Sequence, residues 1–196
     1  KIYKGDIMKY KMLKLFFVMA TLCLSSQMAL AKDNILVLKL KNGDVSIKLD
    51  ETIAPKHVAR IKQLTQEGAY DNVVFHRVIE GFMAQTGDVK YGKKDGANYN
   101  LSLVGIGGSK YPNLPAEFSK TPFLRGVVGM ARSADLSSAN SQFFICLKDS
   151  QFLNNQYTVV GKVIKGMDIV DKIKTGDVSK NGSVVDPDII IKASIE

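Results

Sequence analysis

Residues 35–40 and 45–49 alternate apolar and polar side chains, the period of strands with one buried face. Between them Asn42-Gly43 predicts a tight hairpin turn. At Pro55 the period changes: Val58, Ile61 and Leu64 recur at helical spacing, Pro55 stands where a first-turn N–H is not needed, and Gly68 is placed to end the helix. Strand patterning returns over 73–79 and 82–85, divided by Glu80-Gly81. Residues 87–122 are rich in Gly, Lys, Asn, Ser and Pro and show little periodicity; so long a loop in a compact domain is usually functional. Further strand-like runs cover 126–131, 141–147 and 158–164. A short amphipathic helix follows, burying Met167, Ile169, Val170 and Ile173, and a last strand covers 189–195.

That makes about eight strands and two helices, without the regular strand–helix alternation of a doubly wound parallel sheet. The expected fold is mainly β: a closed eight-stranded antiparallel barrel capped by two α-helices, since closure removes exposed sheet edges.

The N-terminus follows a different rule. Lys9, Lys11 and Lys14 come just after Met8, residues 15–24 are almost wholly apolar, and Ala29-Leu30-Ala31 offers small residues at both positions read by signal peptidase. This predicts a Sec-type signal peptide at 8–31, a mature domain at 32–196, and residues 1–7 as a segment upstream of the true start. The apolar core is too short for a membrane span, which needs about 20 residues, so no stable membrane insertion is expected after cleavage. The periplasm is the expected destination, with secretion as the alternative.

Composition adds little to that picture except through charge. The chain has 196 residues, 45% hydrophobic and 23% charged, which fits one globular domain. The formal net charge is +8, but 1–31 hold five of the 27 basic and one of the 19 acidic residues, so 22 basic residues face 18 acidic ones in the remainder. Without a Lys/Arg block, this does not argue for nucleic-acid binding. Cys23 lies in the leader, and Cys146, inside an apolar run, reads as a core thiol. No coiled-coil pattern departs from a monomer.

The segment from Tyr70 to Asp88 carries the candidate chemistry. If His76 and Val78 face one side of its first strand, Phe75 and Arg77 face the other; on the second, Phe82, Ala84 and Thr86 alternate with Met83 and Gln85. Such a strand pair brings a guanidinium and a carboxamide beside an aromatic ring and a thioether, a recognition patch with no nucleophile. Each residue also has a plainer reading: Arg77 as a surface ion-pair partner, Phe82, Met83 and Phe144 as core, His76 as a hydrogen-bonded structural residue, and His57 as solvent-facing. Two histidines without a nearby acidic or cysteine cluster do not suggest zinc. Gly105 and Gly107-Gly108 lack the Lys-Ser/Thr pair of a phosphate loop.

Three ordered blocks then resemble the cyclophilins. They are Phe75-His76-Arg77-Val78-Ile79 with Phe82-Met83 and Gln85-x-Gly87-Asp88; Gly129-Met130-Ala131-Arg132 with Asn140-Ser141-Gln142-Phe143-Phe144-Ile145; and Phe152-Leu153 with Tyr157 and 159–168. The likeness covers 34–195 and is strongest to the bacterial exported members. It implies a peptidyl-prolyl cis/trans isomerase that needs no cofactor or metal and acts on proline-containing segments of exported proteins. By resemblance, Arg77 is the catalytic arginine, with Phe82 and Gln85 beside it. Phe82, Met83, Phe144 and Leu153 line the proline pocket, Ala131 and the backbone of Arg132 hold the peptide, and Gln142 and His76 support it. Phe152 stands where many members carry tryptophan and Tyr157 where they carry histidine, which implies weak cyclosporin binding with peptide binding retained. Residues 133–139 are expected to reshape the pocket rim. The alternative is a proline-peptide-binding chaperone or assembly module whose turnover is incidental; an unrelated barrel for a small apolar ligand would leave the three blocks unexplained.

Overall fold

The computed structural model describes residues 34–196, so the signal peptide expected at 8–31, the segment 1–7 and Cys23 lie outside the described residues. In chain order the elements are β1 (Ile35–Leu40), β2 (Gly43–Leu49), α1 (Pro55–Gln66), β3 (Val73–Val74), β4 (Arg77–Ile79), β5 (Met83–Thr86), β6 (Val127–Met130), β7 (Phe143–Cys146), β8 (Val159–Lys165), α2 (Met167–Val170), β9 (Ile189–Ile190) and β10 (Lys192–Ile195). Eight strands form one antiparallel sheet in the order β10-β1-β2-β8-β6-β7-β5-β4, and β3 pairs with β9 alone.

The opening hairpin follows the alternation. Leu36 lies opposite Ile47 and Leu38 opposite Val45, so one set of side chains points into the core, where all four are buried. The inner face of the sheet and the apolar stripe of α1 (Val58, Ile61, Leu64) enclose the main core with Phe75, Phe143, Ile145 and Val160.

Two expected strands divide. The run 73–79 breaks at Phe75-His76 because the chain changes partner: β3 pairs with β9, while β4 pairs with β5. The run 189–195 breaks at Ile191, whose N–H turns to the Lys39 carbonyl. Alternation does not register such exchanges, because the side-chain pattern continues through them.

The expected closed barrel is corrected to an open, curled sheet. Among the described residues its end strands, β4 and β10, do not pair. The edges are covered by other means. Along β4, the Val78 N–H donates to the Gly182 carbonyl, and the Val78 carbonyl accepts from the Gly176 N–H. Beside β10, the Ala193 N–H donates to the Asp71 carboxylate. Two loops, 176–182 and the turn that carries Asp71, thus supply edge protection that closure would have given.

His57 is likewise not solvent-facing. It is fully buried at the start of α1, with Nδ1 2.7 Å from Glu117 Oε2. Ala54, at the helix N-cap, supplies no side-chain acceptor; Glu117 accepts the Lys56 and His57 amides instead. Burial would raise the Glu117 pKa, but hydrogen bonds from the His57 ring and these two amides outweigh it and hold the pKa down. Burial lowers that of His57, so the ring is neutral and donates from Nδ1.

Candidate active site

Register decides which side chains meet. Arg77 pairs with Gln85, Gln85 with Phe144 and Met83 with Cys146, so Arg77, Met83, Gln85 and Phe144 share one face of the sheet. Val78, Ala84 and Ile145, on the opposite face, enter the main core. A second apolar cluster lies on the Arg77 side: Met83, Phe123, Val127, Phe144, Cys146, Leu153 and Val159, with Phe82, Ala131 and Tyr157 packed against it. Phe144 stacks on Phe123 with centroids 5.8 Å apart and meets Tyr157 edge-on at 5.7 Å. The ring of Phe152, 64% exposed, sits 5.4 Å from that of Phe82. Burial pushes the Cys146 thiol up to about 12, consistent with a core thiol.

Arg77 stands over this apolar floor. Its Nε donates to the Asn181 carbonyl at 3.0 Å and Nη2 to Asn181 Oδ1 at 3.0 Å. Nη1 donates to Gln85 Oε1 at 3.3 Å and lies 3.8 Å from Met83 Sδ. Among the described residues none of its partners is a carboxylate, so the ion-pair reading fails and the positive charge is uncompensated. Partial burial lowers its pKa, yet a guanidinium stays protonated throughout the working range.

A directed chain of hydrogen bonds continues from there. Gln85 Nε2 donates to Gln142 Oε1 at 3.0 Å, and Gln142 Nε2 donates to the Gly105 and Gly107 carbonyls at 2.9 and 2.7 Å. The Gly105 and Gly107 N–H groups donate to Asp88 Oδ2 at 2.7 and 2.9 Å, while Oδ1 accepts the Lys90 and Tyr91 amides. Asp88 is fully buried, and a Cβ on Gly107 would fall 2.3 Å from its Oδ1, so only glycine permits this approach. Each amide has one orientation here, fixed by the donor or acceptor beyond it.

Next to the chain opens a cavity of about 290 Å³ lined by Gln85, Ile106, Ala131, Arg132, Ser138 and Gln142. The Ala131 N–H is used by the Gln142 carbonyl, whereas the Arg132 amide has no partner among the described residues. The Arg132 guanidinium lies 4.6 Å above the Tyr157 ring and donates to the Gln156 carbonyl. A larger hollow, about 510 Å³, opens beside α1 between Leu64, Val89 and Tyr111, and contains none of the Arg77 group.

Eleven of the twelve candidate residues thus gather on one face. Arg77, Met83, Gln85 and Gln142 are linked by side-chain contacts, and Phe144 pairs with Gln85 in the sheet. Tyr157 meets Phe144 and Arg132, and Phe82, Ala131 and Leu153 belong to the same apolar cluster, with Phe152 against Phe82. His76 is the exception: it is 6% exposed and packs beneath Gly105, and neither ring nitrogen has a hydrogen-bond partner among the described residues. The expected structural hydrogen bond is at most a poorly aligned one to the Val74 backbone, which with Asp88 opposes the effect of burial. Burial, opposed by the Asp88 charge, lowers its pKa to about 4. The unfolded chain takes up this proton near pH 6.5 while the folded one refuses it, so folding stability falls as pH drops from about 6.5 to 4. The loss from this group is on the order of 2–3 kcal/mol. Urea denaturation across that range is expected to show the loss and His76→Phe to flatten it; an unchanged slope in the variant contradicts the assignment.

The sequence reading missed three contributors: Asn181, the Gly105 and Gly107 carbonyls, and Asp88 as an anchor rather than a motif letter. Asn181-Gly182 is a turn signal, but Asn181 lies 104 positions from Arg77 and its spacing carries no sign of the contact.

Comparison with known proteins shows the family and the fold. The family model for cyclophilin type peptidyl-prolyl cis-trans isomerases matches residues 35–195. A probable peptidyl-prolyl cis-trans isomerase of Brucella suis is 63% identical over 164 residues, covering 84% of this chain and 83% of that protein. Peptidyl-prolyl cis-trans isomerase B of Escherichia coli is 36% identical, covering 78% of this chain and 93% of its own length. Among solved structures, a Cryptosporidium parvum cyclophilin type peptidyl-prolyl cis-trans isomerase, crystallised in the presence of the dipeptide Ala-Pro, superposes with a TM-score of 0.69 at 25% identity over 83% of this chain and 98% of that one. A cyclophilin from Hirschia baltica gives 0.68 at 25% identity over 84% of this chain and 74% of its own.

Proposed function

The chain belongs to the cyclophilin-type peptidyl-prolyl cis-trans isomerases and is an enzyme of X-Pro bond rotation; from that premise we propose that Arg77 supplies its catalytic hydrogen bond and that its substrates are proline-containing segments of exported proteins. Amide resonance imposes a barrier of about 18–20 kcal/mol on rotation. In the twisted state the C–N bond loses double-bond character and the proline nitrogen becomes pyramidal, which frees a lone pair. A charged donor aimed at that nitrogen is rewarded mainly in the twisted state, so it raises the rate instead of merely tightening binding. Neither proton transfer nor a covalent intermediate is required.

The observation that carries this reading is the Arg77 guanidinium: uncompensated in charge, held by neutral acceptors, and standing over an apolar floor. In this reading Phe82, Met83, Phe144 and Leu153 grip the proline ring. Gln85 holds Arg77 and the amide beside it, Gln142 keeps Gln85 in orientation, and the free Arg132 amide pairs with the extended peptide beside Ala131. The Ala-Pro dipeptide present with the Cryptosporidium protein supports a proline peptide as ligand here too. The basic and apolar leader supports action on exported clients in the periplasm.

The test is exchange NMR on a proline tetrapeptide with the chain from residue 32 onward. Enhanced cis/trans exchange is expected; peptide binding without enhancement would leave only a holding module. The rim makes a separate prediction. Phe152→Trp restores an indole N–H, and because the chain has no tryptophan it also installs a single fluorophore. Titration with cyclosporin is expected to give about fivefold tighter binding than the Phe152 chain measured by calorimetry, the worth of one neutral hydrogen bond. Equal affinities remove the indole explanation for weak cyclosporin binding.

A further inference from the structure

We infer that Asn181 is a positioning residue for the isomerase reaction, holding the Arg77 guanidinium from the side opposite Gln85. The inference rests on Arg77 as catalyst and adds what aims it.

A guanidinium presents two edges to its surroundings. The edge formed by Nε and Nη2 is taken by one residue, whose main-chain carbonyl and side-chain Oδ1 both accept at 3.0 Å. On the remaining edge, shared by Nη1 and Nη2, Gln85 Oε1 accepts from Nη1 at 3.3 Å. Asn181 thus determines the plane of the fork, and Gln85 limits its swing. A lone Gln85 contact would leave a long, half-exposed side chain free to rotate, because a single hydrogen bond does not fix a planar group.

Backbone structure explains why Asn181 can do this. Residues 178–180 form a 3-10 turn whose start is capped by Asp177, with Oδ1 accepting the Ser179 N–H. Asn181 ends the turn in the left-handed region at φ 55, a conformation asparagine tolerates better than most residues. The next residue, Gly182, accepts the Val78 N–H from β4 itself, and a Cβ on Gly182 would fall 2.4 Å from Ile79 Cγ1. The turn is therefore pressed against the strand that carries Arg77, and both acceptors of Asn181 arrive at the fork by rigid placement.

Asn181→Gly tests the claim, since glycine accepts the left-handed backbone, keeps the main-chain acceptor and removes the side chain with its Oδ1. Expected is a fall in kcat on the order of tenfold, short of the ~100-fold that a 1 Å misplacement can cost, with peptide affinity and melting temperature little changed. Asn181→Asp retains the acceptor that aims the fork but compensates the Arg77 charge, so it is expected to recover only part of the rate. In the double variant Arg77→Ala/Asn181→Gly, no loss beyond Arg77→Ala is expected, because Asn181 acts only through Arg77. A purely structural role predicts instead additive losses and a lowered melting temperature. If Arg77→Ala abolishes enhancement while Asn181→Gly leaves kcat unchanged, the role of Asn181 is overturned and Arg77 stands; if Arg77→Ala is itself silent, the catalytic reading fails first.

Discussion

Arg77→Ala is expected to lower the catalysed exchange rate by about 10²–10³-fold, equivalent to about 2.7–4 kcal/mol of transition-state stabilisation, the range for removal of one preorganised donor. Peptide affinity should change little, because the proline ring is gripped by Phe82, Met83, Phe144 and Leu153, which the substitution leaves in place. Stability should also hold: the side chain is half-buried, and of the acceptors it leaves behind the two oxygens of Asn181 are exposed and Gln85 Oε1 is only partly buried, so water replaces the guanidinium. Arg77→Lys is the sharper control. An ammonium keeps the charge but cannot span both Asn181 acceptors and Gln85 together, so it should restore only part of the rate. Protease-free exchange spectroscopy reads all three proteins directly. Equal rates for wild type and Arg77→Ala would sink the mechanism.

The second large effect is expected far from the peptide, at Asp88. Its two carboxylate oxygens accept four main-chain N–H groups, two from Lys90 and Tyr91 and two from Gly105 and Gly107, in a fully buried position. Asp88→Asn is nearly isosteric but replaces one acceptor oxygen with an NH₂ donor, which strands two N–H groups and opposes them with a third donor. At about 1–3 kcal/mol for each buried unsatisfied group, the cost is expected to be about 4 kcal/mol, read as a lower urea midpoint with an unchanged m-value. The same change releases the Gly105–Gly107 turn from below. Gln142 then loses its fixed acceptors, Gln85 its fixed orientation, and Arg77 one of its two supports, so kcat should fall while the proline pocket persists. A variant as stable and as active as wild type would show that the anchor carries neither load.

Much of the fold is legible in local patterns because those patterns record burial. Alternation from Ile35 to Leu49 reports which residues face the core, and the helical spacing of Val58, Ile61 and Leu64 reports the stripe that covers it. That Arg77 lies near Met83 and Gln85 was legible for the same reason, since one tight turn joins the two strands; which faces coincide came from the register, and Phe75, expected on the Arg77 side, lies in the main core. What local patterns do not record is pairing between distant segments. The break at Phe75-His76, the capping of α1 by Glu117 from about sixty residues away and the loop covering β4 all depend on which segment arrives alongside. His57 was misread on this account: its partner comes from the long loop, where no periodicity signals a contact.

For this protein, then, the sequence alone determined most of the strand and helix order, the closeness of Arg77 to Met83 and Gln85 across one tight turn, and membership of a family through three ordered blocks. Only the tertiary structure decided how Arg77 is aimed, that its charge has neutral partners, and that His76 lies buried beneath Gly105. The reason is physical: periodicity reports the sidedness of a single element, whereas the direction of a hydrogen bond depends on where two remote backbones come to rest. Asn181, 104 residues from the arginine it holds, makes that distinction concrete.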